Sequence, residues 1–527
     1  MHEILTLQFG EQSNYLGTHF WNTQESYFTY NGEEESPVDH DIHFRPGVAA
    51  DGSDTFMPRA LIYDLKGGFG SLKRLNALYD LEEEANASSS LWNGATITHT
   101  EPSIDPSPYQ LALDAAIEPP PLTPETVRFW SDYSRVFFHP RSLIPISPHS
   151  LNSSLAPFEK WETGEELFGT LDQEHDLLDR DLRPFLEECD HLQGVQVTTS
   201  ADDAWGGFAS RYVERMRDEL GKSSIWVTGL EDSTTVAREK RLVRLLSSAR
   251  SIFELSPSSS LYIPLANIPS STPPYLKLTP SSPWHTSALQ SAALESLTLP
   301  SRLRQSNPQY TSLTTIEASI NRDGNRRIAR LGMDVSPNDA LIDKREEEER
   351  KPKVNGNANG WHEEDEEPEM SKCDIDFLPP SFLTGGARGM NGSRRKEQEF
   401  GIAEICRGEW FSSDDVTGVN LRDRFAGKTF LRTQSPLLYP YLTSFPSIFS
   451  FPSTTTTTPL ATKTTLSTST ALASHIRSIS RVAARTIGVD EREALMDGLE
   501  TMAAEYEEGW DDDSDGFRGS GGEGEDE

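Results

Sequence analysis

This chain of 527 residues is poor in cysteine, in positive charge and in long apolar runs, and each shortage excludes a class of protein. Three cysteines, Cys189, Cys373 and Cys406, are too few and too scattered for a disulfide framework or a thiolate zinc site, which predicts a reducing compartment. Lys and Arg number 48 against 83 Asp and Glu, a formal charge of −35. A field of that sign repels phosphate backbones, so no direct binding of nucleic acid is expected. No Arg or Lys precedes Arg45, so the opening segment lacks the basic start of a secretory signal and the Arg-rich helix of a mitochondrial presequence. No stretch reaches the ~20 apolar residues of a membrane helix. The most apolar one, PLLYPYLTSFPSIFSF at 436–451, is broken by three prolines. The expectation is a large, acidic, soluble intracellular chain that would meet any organelle from its cytosolic face.

What is present reads as α/β. Ile4, Leu5, Leu7 and Phe9 form a strand-like run ending at Gly10, and Ser13 or Asn14 can cap a helix with Leu16, Phe20 and Trp21 on its apolar side. A second strand, ALIYDL at 60–65, stops at Gly67-Gly68. GVQVTT at 194–199 predicts a strand, then a glycine-bearing turn, the helix FASRYVERMRDEL, and another strand, SIWVTGL at 224–230. Strand, helix and strand at this spacing are the grammar of a parallel sheet. Beyond 335 the composition changes. Acidic clusters around NGNANG predict a flexible insertion at 343–369, GGARGMNGSRRK at 385–396 reads as a loop, and a helix from about 469 carries Leu472, Ile476, Ile479 and Val482 on one stripe.

Candidate chemistry is sparse. The histidines show no paired metal spacing, Gly67, Gly68 and Gly70 form no dinucleotide fingerprint, and Glu187-Glu188 is an ordinary acidic helix face. Cys189 reads as core rather than nucleophile.

Three segments resemble tubulin, in tubulin's order. ILTLQFGEQSNYLGTHFW is similar to its first strand, nucleotide loop and helix; FMPRALIYDLKGG to its PRA…VDLEPG strand; CDHLQGVQVTTS to the CDCLQGFQLTHS before its phosphate loop. Together with GTHFWN, WSDYSRVFFHPRSL and the EYEEGWD tail, these segments resemble the misato family of tubulin-related proteins. The resemblance implies a tubulin-like doubly wound parallel sheet with a second α/β domain and a helical C-terminal region. It divides the chain into an N-terminal segment, 1–117, a second tubulin-like segment, 122–310, a C-terminal region, 311–504, and a disordered acidic tail, 505–527. It also implies a role in partitioning mitochondria and inheriting mitochondrial DNA. The expected protein is mitochondrial and peripheral, with a cytoplasmic pool, and has protein partners such as tubulin or cytosolic chaperonin. Two other readings stay open: a tubulin-assembly or chaperonin-linked factor, and a GTP-binding protein with a rewired phosphate loop.

The same resemblance marks Gly10, Asn14, Gly17, Asp64 and Gly206 as remnants of a nucleotide site. Glycine-rich loops at helix N-termini bind phosphate because bare backbone N–H groups can approach it. When Ser200 is aligned on tubulin's serine, the residues from Asp202 to Phe208 replace GGGTGSG, and only Gly206 keeps its place. Two carboxylates then stand where a triphosphate would, and like charges ~4 Å apart cost ~1 kcal/mol even in water. Glu11 and Ser13 also depart from tubulin's pattern, and Lys66 replaces an acid in a way that could serve a phosphate. The expectation is no cofactor, no GTP hydrolysis and no catalytic residue, with Gly10, Asn14 and Gly206 surviving as turn and cap residues.

One feature lies outside the resemblance. No Asp or Glu occurs from Arg424 to Val489, a segment holding Arg424, Lys428, Arg432, Lys463, Arg477, Arg481 and Arg485. Arg477, Arg481 and Arg485 are candidates for an interaction belt facing an anionic membrane or an acidic partner. The alternative is an ordinary part of the C-terminal fold whose charges pair with the acidic tail.

Overall fold

A computed structural model describes residues 2–29, 35–48, 54–72, 104–343, 373–380, 397–411, 429–451, 458–485 and 488–507. In chain order its first half runs β1 (Glu3–Phe9), α1 (Glu11–Glu25), β2 (Phe44–Val48), β3 (Asp54–Pro58), β4 (Ala60–Lys66), β5 (Leu143–Ser150), α2 (Trp161–His175), β6 (Leu192–Ser200), α3 (Ala204–Leu220), β7 (Ser224–Glu231), α4 (Arg238–Ser258), β8 (Leu261–Ala266) and α5 (Pro283–Thr298); shorter helical turns are left unnumbered. β1 is buried at every position, as a strand must be when helices cover both faces of its sheet. Six strands lie in the order β5-β4-β1-β6-β7-β8, and every neighbouring pair is parallel. The chain starts at the centre, winds out to β5, then returns to β6 and winds the other way. This is the expected doubly wound α/β sheet.

α6 (Leu313–Ile320) leads into a second sheet made of β9 (Arg330–Pro337), β10 (Ile375–Asp376), β11 (Glu399–Arg407), β12 (Thr429–Ser435) and β13 (Leu460–Ser469). Their order is β10-β9-β13-β11-β12, antiparallel except for the parallel pair β11–β12. α5 joins the two sheets. Its Leu289, Ala292, Ala293 and Leu297 share one apolar core with Leu230 and Ile263 of the first sheet and with Met333, Ile405 and Leu466 of the second.

The last two helices, α7 (Thr470–Ala483) and α8 (Val489–Ala504), leave the second sheet and pack back on the first domain. Leu472, Ile476, Ile479, Leu495 and Leu499 join Ile252 and Leu255 of α4 in the core beneath the first sheet. The stripe read from sequence is this contact, except that Val482 is only half-buried. Residues 311–504 thus serve two bodies: the second sheet, and a helical cover for the first.

Other expectations shift. α1 begins at Glu11 with Gly10 at its cap position, not at Ser13 or Asn14, because Gly10 has φ +89 and can turn the chain at once. The start of the acidic tail is packed: the Tyr506 hydroxyl donates to the Ile328 carbonyl at 2.8 Å and accepts from the Ile328 N–H. Residues 508–527, nearly all of the 343–369 insertion, and the 385–396 loop lie outside the described residues.

Candidate functional site: the cleft at the strand-order switch

In open α/β sheets ligands bind beyond the carboxyl ends of the strands where the winding reverses, here between β1 and β6. Gly10 follows β1, Asp64 lies near the end of β4, and Ser200 ends β6. Around them is a cleft of about 210 Å³ whose walls include Glu11, Asp64, Phe158, Ser200, Asp203 and Trp205.

Trp205 decides the shape of this cleft. Its indole lies on Gly10 so closely that a Cβ added there would come within 2.5 Å of the ring. Phe158 and Phe208 hold the indole edge-on, at ring separations of 5.2 and 5.7 Å. Asp203 fixes the backbone beneath it, capping α3 by accepting the Trp205 N–H at 2.8 Å. The first turn of α3 therefore has its own side-chain carboxyl oxygen where a bound anion would otherwise sit.

The cleft is acidic, and burial disfavours its charge. Asp64 accepts from Asn14 Nδ2 at 2.7 Å, from Trp130 Nε1 at 3.2 Å and from the Leu65 amide at 2.8 Å, yet burial still pushes its carboxyl up to about 7. Burial, and then the neighbouring Asp202, push Asp203 up to about 8. Asp202 is itself raised to about 6 by burial, although Arg244 lies 3.9 Å away and the Asp232 amide donates to it at 2.9 Å. Glu231, behind it, is pushed up to about 8 by burial. Arg244 is engaged with Asp232 at 2.7 Å.

The sequence-marked remnants separate into two groups. Gly10, Asn14 and Asp64 converge on the cleft. Gly17 and Gly206 do not: each allows a close approach of packed elements. A side chain on Gly17 would strike the Gln8 amide, and one on Gly206 would strike Ser251 Oγ of α4. The expected glycine turn at 202–208, with Gly206 as a turn or cap, is corrected: α3 is already helical from Ala204, and Gly206 and Gly207 lie inside it. Gly207 lies against the Trp161 carbonyl of α2, and Gly164 of α2 against the Ala204 carbonyl. Gly164 and Gly207 let α2 and α3 touch backbone to backbone, and Gly206 lets the Ser251 side chain of α4 come close.

A nucleoside triphosphate does not fit these residues. The ring of Trp205 fills the space above Gly10, Glu11 and Asp203 face the cleft, and among the described residues no Lys or Arg lines it. Sequence reading missed Trp130, Glu231 and Arg244. Trp130 reaches Asp64 across 66 residues of chain, and no local pattern reports such a contact. Among the described residues no group of three or more His, Cys, Asp or Glu side chains is placed to hold a metal.

The described basic residues of the acid-free segment are spread over the second sheet and the end of the chain. Arg432 pairs with Glu404 at 2.6 Å and Lys463 with Asp334 at 2.8 Å, both against the second sheet. Arg477 pairs with Glu500 at 2.8 Å and with Glu507 of the acidic tail. Arg481 and Arg485 remain exposed, with no ion pair among the described residues.

The fold and the cleft define a tubulin-like protein whose nucleotide loop has been rebuilt. Residues 119–303 match the Tubulin domain family model, and residues 2–115 match the Misato Segment II tubulin-like domain. Along nearly its whole length the chain is similar to Protein DML1 of Phaeosphaeria nodorum, 47% identical over 98% of this chain and 99% of the relative. It is 45% identical to Protein dml1 of Aspergillus oryzae over the same shares, and 34% identical to Protein dml1 of Schizosaccharomyces pombe over 62% of this chain and 70% of the relative. The chain belongs to the Misato/DML1 family of tubulin-like proteins. Among the described residues no helix is long and apolar enough to cross a membrane.

Proposed function

We propose that this protein is a non-enzymatic member of the tubulin-like group that neither binds nor hydrolyses GTP. It works as a fixed scaffold in partitioning mitochondria and inheriting mitochondrial DNA. The observation that carries the non-enzymatic part is the Trp205 indole against Gly10, with Asp203 capping the helix beneath it. A nucleotide-dependent switch needs a ligand that holds one loop arrangement and releases another. Here the protein's own side chains hold the loops in a single arrangement. The mitochondrial part rests on membership of the Misato/DML1 family. The protein would act peripherally from the cytosolic face, with a cytoplasmic pool, through a protein partner such as tubulin or cytosolic chaperonin. Acute depletion with simultaneous imaging of mitochondria, their DNA and microtubules tests the cellular role. Clumped or lost mitochondrial DNA with intact microtubules is the expected result. Microtubule failure preceding any mitochondrial change would instead assign the protein to tubulin assembly.

A further inference from the structure

The end of the six-stranded sheet away from the cleft contains a buried guanidinium, two of whose nitrogens have no acceptor among the described residues. Arg59 joins β3 to β4 and is only 6% exposed. Its Nε and Nη1 are shut off from solvent and have no hydrogen-bond acceptor. Its backbone N–H donates to the His43 carbonyl at 2.8 Å, and Arg45 pairs with Met57 in the β2–β3 ribbon. With a two-residue period, Arg45, Met57 and Arg59 share one face of that ribbon, whereas His43, before the strand, has a helical backbone and packs its ring on Phe20 and Trp21 of α1. Arg45 donates Nη2 to Glu188 at 2.6 Å and lies over the Phe185 ring, but its Nε is also buried without an acceptor. Arg141, exposed just before β5, adds a third guanidinium within electrostatic reach: burial, and then Arg59 and Arg141, disfavour the charge on Arg45.

The carboxylates nearby are already committed. Glu188 is bound by Arg45, and Glu3 accepts the amides of Asp190 and His191 at 3.4 and 3.0 Å. Among the described residues none bonds to Arg59, although the Glu3 carboxylate feels its charge. A buried cation without a bonded counterion is costly, and removing that cost requires an anion with several acceptors. Donors arriving from the ribbon on one side and from the start of β5 on the other suit the many lone pairs of a tetrahedral oxyanion.

We propose that the amino end of the six-stranded sheet carries an oxyanion site centred on Arg59 and flanked by Arg45 and Arg141, and that it takes a phosphate-type anion. The site is separate from the cleft and does not depend on the reading of the cleft.

The test is thermal unfolding of the full chain against inorganic phosphate, and separately sulfate, with ionic strength matched by chloride. The unfolding midpoint should rise and saturate with phosphate, as it does for any ligand that binds the native state, and a matched chloride series should leave it flat. Arg59→Met should abolish the phosphate response while staying at least as stable as wild type without phosphate, because it removes an unpaired buried charge. Arg141→Ala, at an exposed position, should fold normally and need several-fold more phosphate for the same shift; it keeps the test open if Arg59→Met fails to fold. A wild-type midpoint that ignores phosphate, an equal response to chloride, or an undiminished response in both variants would overturn the proposal.

Discussion

Glu295 of α5 is fully buried between two arginines, and replacing it with Gln should cost the protein a large share of its stability. Its carboxylate meets Arg302 at 2.7 Å and also Arg407, with side-chain exposures of 0%, 1% and 0% for the three residues. Tyr27, just after α1, donates to the same carboxylate at 3.0 Å, and Gln24 of α1 donates at 3.3 Å. Arg407 belongs to β11, so a single carboxylate ties α1, α5 and the second sheet together. Removing one partner of a buried ion pair costs ~3–5 kcal/mol, against a total stability of ~5–15 kcal/mol for a typical domain. Both arginines keep other acceptors: Arg302 has Thr298 Oγ1 at 2.6 Å, and Arg407 has the Leu437 and Leu438 carbonyls, each at 2.9 Å. Those bonds place the loss near the lower end, about 3 kcal/mol. Urea unfolding of wild type and Glu295→Gln at pH 7, followed by tryptophan fluorescence, measures it as a shift in midpoint. Acid should narrow the difference. Burial alone would raise the Glu295 carboxyl, but Arg407 and Arg302 outweigh it and hold the group below its usual range. A carboxyl depressed in the folded state contributes stability above its unfolded value, ~4.3, and loses that contribution as the pH falls through the folded value. A loss under about 1 kcal/mol at pH 7, or a difference that does not shrink below pH 4, would refute this account of the domain junction.

Other consequences concern the cleft and its supports. Asp203→Asn keeps an oxygen to cap α3 but removes a charge that burial and Asp202 disfavour. Because the Asp203 carboxyl is raised to about 8, its contribution is fully present below the unfolded value and is lost as the pH rises through 8. Wild type should therefore lose thermal stability relative to this variant between pH 4 and pH 8; parallel profiles would contradict this. Gly207→Ala places a methyl against the Trp161 carbonyl and should destabilise by about 1–3 kcal/mol of overpacking; an unchanged midpoint would show that α2 and α3 can separate freely. Burial pushes Cys189 up to about 11 and Cys373 up to about 12, so at pH 7.5 the native protein should react with a maleimide far more slowly than the urea-unfolded chain.

The sequence revealed most where structure depends on local pattern. β1 and β4 could be read from their apolar runs, and the βαβ spacing from 194 to 230 implied a parallel sheet. The α3 boundary was harder because glycine has two uses. Gly206 and Gly207 suggested a loop, yet they sit inside a helix where α2 and α4 press too closely for a side chain. The second sheet pairs β9 with β13, bringing together residues more than a hundred positions apart, and β13 with β11, more than fifty apart, so its order left no local signature. The return of 470–506 to the first domain was equally hidden: an amphipathic helix shows that it needs a partner, not which one. At the cleft, the substitution of Asp202, Asp203 and Trp205 for a glycine loop was plain. That Trp205 would lie on Gly10, and that Trp130 would reach Asp64, depended on tertiary packing.

The measurement closest to the central claim is calorimetric titration of GTP with magnesium into the full-length protein, with tubulin as the positive control. A scaffold whose phosphate space is filled by Trp205 should give no saturable heat up to millimolar GTP while tubulin binds in the same buffer. Saturable binding to the unmodified chain would contradict the account, and would mean that Trp205 swings off Gly10 and the cleft is a working nucleotide site.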